Sequence, residues 1–118
     1  MAHYDLREYL DRLEAEGELT RIDSEVDPTL EAGAIAQRLA ERGGPAVHFR
    51  NLKGFTGASL VGATLSRGAR GIWSKTAIAL DLPADTPYRA LLEEIVKRAD
   101  TGNARELAVR QRVARLNR

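Results

Sequence analysis

The segment GGPAVHF, residues 43–49, ends one predicted helix and begins a predicted strand. Glycine adopts the left-handed conformation that ends many helices, and proline cannot continue the helical hydrogen-bond ladder. The run Ala46-Val47-His48-Phe49 is short and largely apolar, as is typical of a strand. The turn-forming sequence NLKG at residues 51–54 then ends that strand. The chain on either side also alternates between helices and strands.

Upstream, the chain predicts a helix, a strand and a second helix. We expect Asp5 to cap the first helix, with Glu8 in the capping-box position and Gly17 at its end. The alternation over residues 19–24 predicts a strand, and Asp27-Pro28 predicts the start of the second helix. The expected buried stripes of the two helices are Leu6, Tyr9, Leu10 and Leu13, and Ala32, Ile35, Ala36 and Leu39.

Downstream, we expect a strand at residues 59–62 and a helix over residues 72–80. Thr86 and Pro87 predict the start of the clearest helix, whose apolar face should be buried. The sequence Asp100-Thr101-Gly102 is expected to end it, and Asn103 to cap a final arginine-rich helix. The apolar face of the helix after Pro87 comprises Tyr88, Leu91, Leu92, Ile95, Val96 and Ala99.

Length and element order predict one small α/β (α+β) domain with a short mixed sheet flanked by helices. A chain of 118 residues has the usual size of one domain and should be stable without covalent or metal cross-links. We expect this domain over residues 1–102 and a C-terminal basic helical tail over residues 103–118. The absence of cysteine excludes disulfides, thiol nucleophiles and thiolate metal sites. It fits a reducing compartment, so we expect a cytoplasmic protein. No apolar run approaches the roughly 18–20 residues of a membrane span, so neither export nor membrane insertion is indicated.

Charge is unevenly distributed, although the formal net charge is only +1. Residues 1–42 contain eleven acidic and five basic side chains, whereas residues 103–118 contain five arginines and one acidic residue. The arginine-rich end has no interleaved aromatic residues, so nucleic acid is the least favoured partner, and a solvated helix or an acidic protein partner is preferred.

The residue types that carry most enzyme chemistry form no catalytic pattern in this sequence. His3 and His48 are not at i,i+4 spacing from another metal-type ligand, and no Gly-x-Ser-x-Gly elbow supports a serine triad. The glycines match neither the dinucleotide fingerprint nor the Walker loop. The acidic residues fall at helix starts and on polar faces, where solvation accounts for them, although a paired acid and base would look the same in sequence. We therefore assign no catalytic, cofactor-binding or metal-binding residue to this chain.

Two features predict a protein interface. Trp73 is the single tryptophan, and tryptophan is favoured at interface hot spots, although a core position is the commoner role. The tail has no single clean apolar stripe, so we expect it to bind a partner and not this domain's own core. A second copy, with its acidic N-terminal region, is the alternative occupant and would give a homo-oligomer. The predicted interface residues are Trp73, Leu107, Arg110, Arg112, Val113, Arg115 and Leu116.

Eight short motifs follow one another in the first part of the chain: DLREYL (5–10), GELTRI (17–22), EVDP (25–28), GGPAVHF (43–49), NLKG (51–54), LVG (60–62), SR (66–67) and AIAL (77–80). Taken in order and with this spacing, they resemble the N-terminal domain of the UbiD family of (de)carboxylases over most of residues 5–82. Leu65 and Asp81 stand where the family usually has glycine. The tail from Asn103 matches no family motif. Together these departures favour a specialised, free-standing version of the domain, with a truncated longer chain as the alternative.

The resemblance implies reversible decarboxylation of aromatic or α,β-unsaturated acids with prenylated flavin mononucleotide, a divalent metal and potassium. In the family, the flavin-binding barrel and the glutamate–arginine–glutamate catalytic set lie outside the matched region. We therefore expect no cofactor in this chain and expect those cofactors in a larger UbiD-like catalytic subunit that this small non-catalytic subunit completes. The alternative is a regulatory or assembly module without a decarboxylase partner.

Overall fold

A computed structural model describes residues 5–116, with the backbone but not the side chains of residues 102–109. The chain divides between Thr86 and Pro87 into two compact units. The elements are α1 (Leu6–Ala15), β1 (Leu19–Ile22), α2 (Glu31–Glu41), β2 (Ala46–Phe49), β3 (Leu60–Gly62), α3 (Ser74–Ala79) and α4 (Tyr88–Leu116).

The strands of the first unit form one mixed sheet in the order β1-β2-β3. β1 and β2 are parallel, with Ile22 opposite Phe49, and α2 lies in the crossover between them. β3 runs antiparallel to β2, with Val47 opposite Gly62. The predicted α/β (α+β) class, with a short mixed sheet flanked by helices, is confirmed.

The sheet carries a hydrophobic core on each face, because successive strand side chains point to opposite sides. α1 and α3 contribute to one core and α2 to the other. Ile35, Ala36 and Leu39 are partly buried against the second core, as predicted, whereas Leu6 of the α1 stripe is exposed. The first core comprises Tyr9, Leu10, Leu13, Leu19, Ala46 and Ile78, and the second Val26, Ala32, Val47 and Phe49.

The ends of α1 follow the sequence prediction, but the start of α2 does not. The Asp5 carboxylate accepts a hydrogen bond from the Glu8 N–H at 3.0 Å, and Gly17 has φ +75° after the helix. The Asp27 carboxylate instead accepts from the Thr29 N–H at 2.9 Å. This local turn uses the side chain that was expected to cap α2, and the helix begins only at Glu31.

Asp81 lies just after α3 in the left-handed region, with φ +61°. This is a position where the family resemblance leads one to expect glycine, which adopts such a φ without steric cost. The Asp81 carboxylate forms an ion pair with Arg12 of α1. The side chain therefore adds a link between α3 and α1 that glycine cannot make.

α4 differs from the sequence prediction in two ways. It continues through residues 100–102, and the Thr101 hydroxyl donates to the Lys97 carbonyl oxygen at 3.0 Å, an i−4 bond that a helix accommodates. The predicted break is therefore wrong, since one glycine costs a helix only about 1 kcal/mol. The predicted burial of the apolar face is also wrong for most of its members. Only Leu91 is buried, whereas Ala99 is exposed and Tyr88, Leu92, Ile95 and Val96 are between 40% and 55% exposed.

The division into a domain of residues 1–102 and a tail of residues 103–118 stays a prediction. None of the helices in the described part of the chain combines the length and apolar character needed to cross a membrane.

The contrast between a core residue and an exposed α4 residue gives a stability test. Phe49→Ala should lower the free energy of unfolding by about 3–5 kcal/mol, because Phe49 is fully buried in the second core. Ile95→Ala should change it by less than about 0.5 kcal/mol, because Ile95 lies on an exposed face. Urea denaturation followed by circular dichroism measures both. Similar losses for the two variants would mean that the α4 face is buried in solution.

Candidate functional site

Three polar side chains of the first unit are fully buried: Glu18, Ser74 and Lys75. Glu18 immediately precedes β1, and the other two form the first turn of α3. A buried charge is strongly destabilising unless it is paired or fully hydrogen-bonded. Their hydrogen-bond partners therefore decide whether these groups are available for chemistry.

The Lys75 ammonium is held by three oxygen atoms. Its Nζ donates to the carbonyl oxygens of Gly44 at 2.8 Å and Ala63 at 2.9 Å, and to Ser66 Oγ at 3.0 Å. The Ser66 hydroxyl itself donates to Ala63, so its oxygen is an acceptor for the lysine. Burial lowers the pKa of Lys75, and the nearby Glu18 carboxylate acts in the opposite direction. Three acceptors require the three protons of the charged form, so the geometry selects the ammonium.

The Glu18 carboxylate is held by the loop before α3. Its oxygens accept hydrogen bonds from the backbone N–H groups of Ala69 at 3.0 Å and Arg70 at 2.6 Å, and from the Ser74 hydroxyl at 3.1 Å. A Cβ at Gly68 would lie 1.9 Å from Ser74 Oγ and 2.8 Å from Glu18 Oε2. Gly68 is therefore required for close packing of this loop around the Glu18 carboxylate.

These buried groups fix the segment between β3 and α3. Every buried side-chain nitrogen and oxygen of the described residues has a hydrogen-bond partner. The same residues contain no group of three or more side chains that could hold a metal ion. The donors and acceptors of Glu18, Ser74 and Lys75 are used internally, so they do not fit a flavin mononucleotide or a divalent metal. Sequence reasoning missed this cluster, although Lys75 precedes the core residue Ile78 by three positions and so shares its helix face.

A second polar cluster lies between α1 and the sheet and is centred on Arg21 of β1. Its guanidinium contacts Glu14 at 2.5 Å, Asp11 at 3.0 Å and His48 Nδ1 at 2.6 Å. Because an arginine only donates, His48 must accept at Nδ1 and is neutral in this arrangement. Burial is the first cause that lowers the pKa of His48, and the Arg21 and Arg50 guanidiniums add to it, against Asp23 and Glu14. His3 lies outside the described residues.

The His48 cluster borders a cleft of about 300 Å³ lined by Arg7, Leu10, Asp11, Arg21 and His48. Asp23 directly follows β1 and Arg50 directly follows β2. The Arg50 guanidinium donates to both carboxylate oxygens of Asp23, at 2.6 and 2.7 Å. The ion pairs of Arg21 and Arg50 give the charged residues beside this cleft a structural role, so no catalytic role is needed to explain them. His48 is partly buried in β2, and the partner of its Nδ1 is the Arg21 guanidinium and not a backbone group or a carboxylate.

The predicted interface residues lie in two different units of the chain. Trp73 is 45% exposed just before α3 and borders a cleft of about 270 Å³ that also includes Arg70, Gly71 and Asp85. The remaining described ones lie in the last turns of α4 and are exposed, namely Arg110, Arg112, Val113, Arg115 and Leu116. The side chain of Leu107 lies outside the described residues.

The comparison with known families rests on residues that contain both polar clusters and every member of the two cores except Tyr9. The profile of the 3-octaprenyl-4-hydroxybenzoate carboxy-lyase N-terminal domain matches residues 10–95. The chain belongs to the UbiD family. The resemblance of the eight ordered motifs to the UbiD N-terminal domain is thereby confirmed.

Curated relatives and solved structures agree with this assignment. The chain is 43% identical over 102 residues to a phenolic acid decarboxylase of Streptomyces sp. (strain D7), and 38% identical to one of Escherichia coli O157:H7. Both matches cover 85% of this chain and 20% of the relative. The vanillic acid decarboxylase of Sedimentibacter hydroxybenzoicus in its closed form superposes with a TM-score of 0.71 at 33% identity, over 85% of this chain and 20% of that one. This UbiD-family chain thus spans about one fifth of the length of these relatives.

The lysine cluster predicts a large loss of stability on removal of one charge. Lys75→Met keeps much of the side-chain volume but leaves two carbonyl oxygens and a hydroxyl without their donor. We expect a loss of about 2–4 kcal/mol in the free energy of unfolding. Lys97→Met on the exposed surface of α4 is the matched control and should change it by less than about 0.5 kcal/mol. Equal urea midpoints for the two variants would contradict the role given to Lys75.

The depressed pKa of His48 predicts an acid-dependent loss of stability. Below the usual value of 6.5, the unfolded chain takes up a proton that the folded chain resists, so stability falls as the pH drops towards the folded pKa. His48→Gln keeps an acceptor for Arg21 but does not titrate. Denaturation midpoints measured between about pH 7.5 and 5 should therefore fall more for the parent than for the variant. Parallel pH profiles would show that His48 is not the group responsible.

Proposed function

We propose that this chain is a small non-catalytic subunit of a UbiD-type decarboxylase or carboxylase acting on aromatic or α,β-unsaturated acids. The observation that carries the proposal is the match to the family's N-terminal domain, at 20% of the length of a phenolic acid decarboxylase. In this proposal a larger catalytic chain binds prenylated flavin mononucleotide, the divalent metal and potassium. This chain completes the larger one, and a cytoplasmic location is supported by the absence of cysteine.

The internal completeness of the domain supports docking as a preformed unit. The two hydrophobic cores lie on the two faces of its own sheet. The buried Glu18 and Lys75 find all their partners within residues 18–75. No other chain is needed to satisfy them, so association with a partner does not have to include folding of this region.

The exposed residues of the predicted interface supply the docking contacts in this proposal. Trp73 offers a large aromatic surface beside a cleft, and Val113 and Leu116 are exposed apolar side chains among arginines. Aromatic and arginine side chains are the residue types most often found at the energetic centre of interfaces. The proposed interface thus retains the seven predicted residues: Trp73, Leu107, Arg110, Arg112, Val113, Arg115 and Leu116.

Complementation of a truncated decarboxylase tests the proposal. The phenolic acid decarboxylase of Streptomyces sp. (strain D7) is produced without the N-terminal region that matches this chain, loaded with cofactor, and mixed with the 118-residue chain. Consumption of the phenolic acid substrate should rise on addition of this chain, and the two proteins should co-elute in size-exclusion chromatography. This chain alone should be inactive and show no flavin absorbance.

Addition of the relative's own N-terminal region as a separate polypeptide is the positive control for the truncated enzyme. If that region restores turnover and this chain neither restores it nor co-elutes, the subunit proposal is wrong for this class of enzyme. Co-elution without restored turnover would instead support the regulatory or assembly module.

A further inference from the structure

α4 carries a row of residues that are alternately four and three positions apart along its whole length. This is the spacing of the a and d positions of a heptad repeat, which places them on one face of a helix. The row is apolar except at Gly102 and Glu106, and we name it the α4 seam. Its members are Tyr88, Leu92, Ile95, Ala99, Gly102, Glu106, Val109, Val113 and Leu116, with Leu92 at an a position.

The described large side chains of the α4 seam are exposed to solvent, from 40% for Ile95 to 80% for Leu116. The helix has 29 residues and is therefore about 44 Å long, which is enough for about four heptads. Most of the stability of an amphipathic helix comes from packing of its apolar face. The described members of the seam are therefore accessible to another helix.

The charges beside the seam define the kind of helix that fits. The e and g positions, which flank a heptad seam, are basic wherever they are charged across residues 88–116. They carry Arg89 and Arg110 at e and Arg98, Arg105 and Arg112 at g, whereas the acidic Glu93, Glu94 and Asp100 occupy the outer b and c positions. Glu94 reaches one of these arginines, Arg98, at 2.9 Å.

These charges disfavour a second copy of the chain as the occupant. A parallel pair brings e positions of one helix near g positions of the other, and an antiparallel pair brings g near g and e near e. In either arrangement no acidic residue faces an arginine, and the in-register parallel pair brings Arg105 opposite Arg110 of the second copy, which is unfavourable. A helix with acidic flanks forms attractive pairs in either orientation.

We propose that the α4 seam binds an amphipathic helix of the larger partner chain, with an apolar heptad face and acidic e and g positions. Glu106, at an a position, fixes the register by requiring a basic or polar residue opposite it, at a cost in affinity. The inference rests on the proposed function in one respect, the identity of the larger chain. The helix-pairing chemistry depends on α4 alone.

Two synthetic peptides of about four heptads test the charge preference. Both carry leucine at a and d, and one has glutamate and the other lysine at every e and g position. We expect the full 118-residue chain to bind the glutamate peptide at least about tenfold more tightly in titration calorimetry, with weaker binding at high salt. Equal affinity for both peptides, or binding of neither, overturns the inference.

Substitutions in the full chain separate seam contacts from general charge attraction. The combined Leu92→Asp and Val113→Asp variant should lose the glutamate peptide, whereas Lys97→Asp and Gln111→Asp at the outer f positions should largely retain it. Arg98→Glu, Arg105→Glu and Arg112→Glu together should exchange the preference to the lysine peptide. Glu106→Leu should tighten binding, because it removes a buried charge. Retention of the glutamate peptide by the first variant contradicts the seam.

Sedimentation of the chain without peptide examines the second-copy alternative. A dimer that Leu92→Asp and Val113→Asp convert to a monomer would show that the seam serves self-association, and would overturn the proposed partner. A correct peptide preference with failed complementation would leave the seam intact and refute the decarboxylase role. If complementation succeeds and the seam variant complements equally well, the decarboxylase role stands and the seam is not the contact with the larger chain.

Discussion

The position of the first turn of α3 depends on two buried charged side chains of opposite sign, Glu18 and Lys75. Ser74 joins the Glu18 carboxylate, and the adjacent Lys75 ammonium reaches oxygens of the loops before β2 and after β3. α3 has only six residues and is too short to be stable as an isolated helix. Its position is therefore set by these polar contacts together with burial of Ile78 in the first core. The same contacts fix the conformation of the segment between β3 and α3, because N–H groups of this segment bind Glu18 and its Ala63 carbonyl oxygen binds Lys75.

Local signals in the sequence were sufficient for much of the fold. Asp5 caps α1 as its position implies, and the short apolar run of residues 46–49 is the central strand. The start of α2 could not be predicted in the same way, because the Asp27 carboxylate can either cap a helix or close a local turn. In the structure it closes the turn with the Thr29 N–H, and α2 begins at Glu31. Continuity of α4 was also hidden, since Asp100-Thr101-Gly102 disfavours a helix only weakly. The buried Lys75 was missed because its acceptors Gly44 and Ala63 are distant in sequence, so that only the folded chain brings them together.

The two parts of the chain contribute differently to function. In the first unit, the polar groups that look suited to chemistry are consumed by the fold, as with Arg21 between Asp11, Glu14 and His48. In α4, by contrast, the described large apolar side chains other than Leu91 are exposed, and every charged e and g position beside the seam is an arginine. The sequence predicted an interface in the last sixteen residues, and the continuous helix extends the candidate surface back to Tyr88. That extension was not visible from sequence because the predicted break divided one heptad register into two short, irregular pieces.

The sheet of the first unit has two edges, and their form bears on how the chain behaves at high concentration. An open strand edge is a template for pairing with another molecule and hence for aggregation. β3 is only three residues long and ends in glycine, while β1 has four residues and carries the ion-paired Arg21. Both edges are short, and Arg21 adds a charged side chain to the β1 edge, two features that disfavour extension of the sheet into a neighbouring molecule. Uncontrolled assembly of this protein through β-structure is thus disfavoured by the length and charge of its sheet edges.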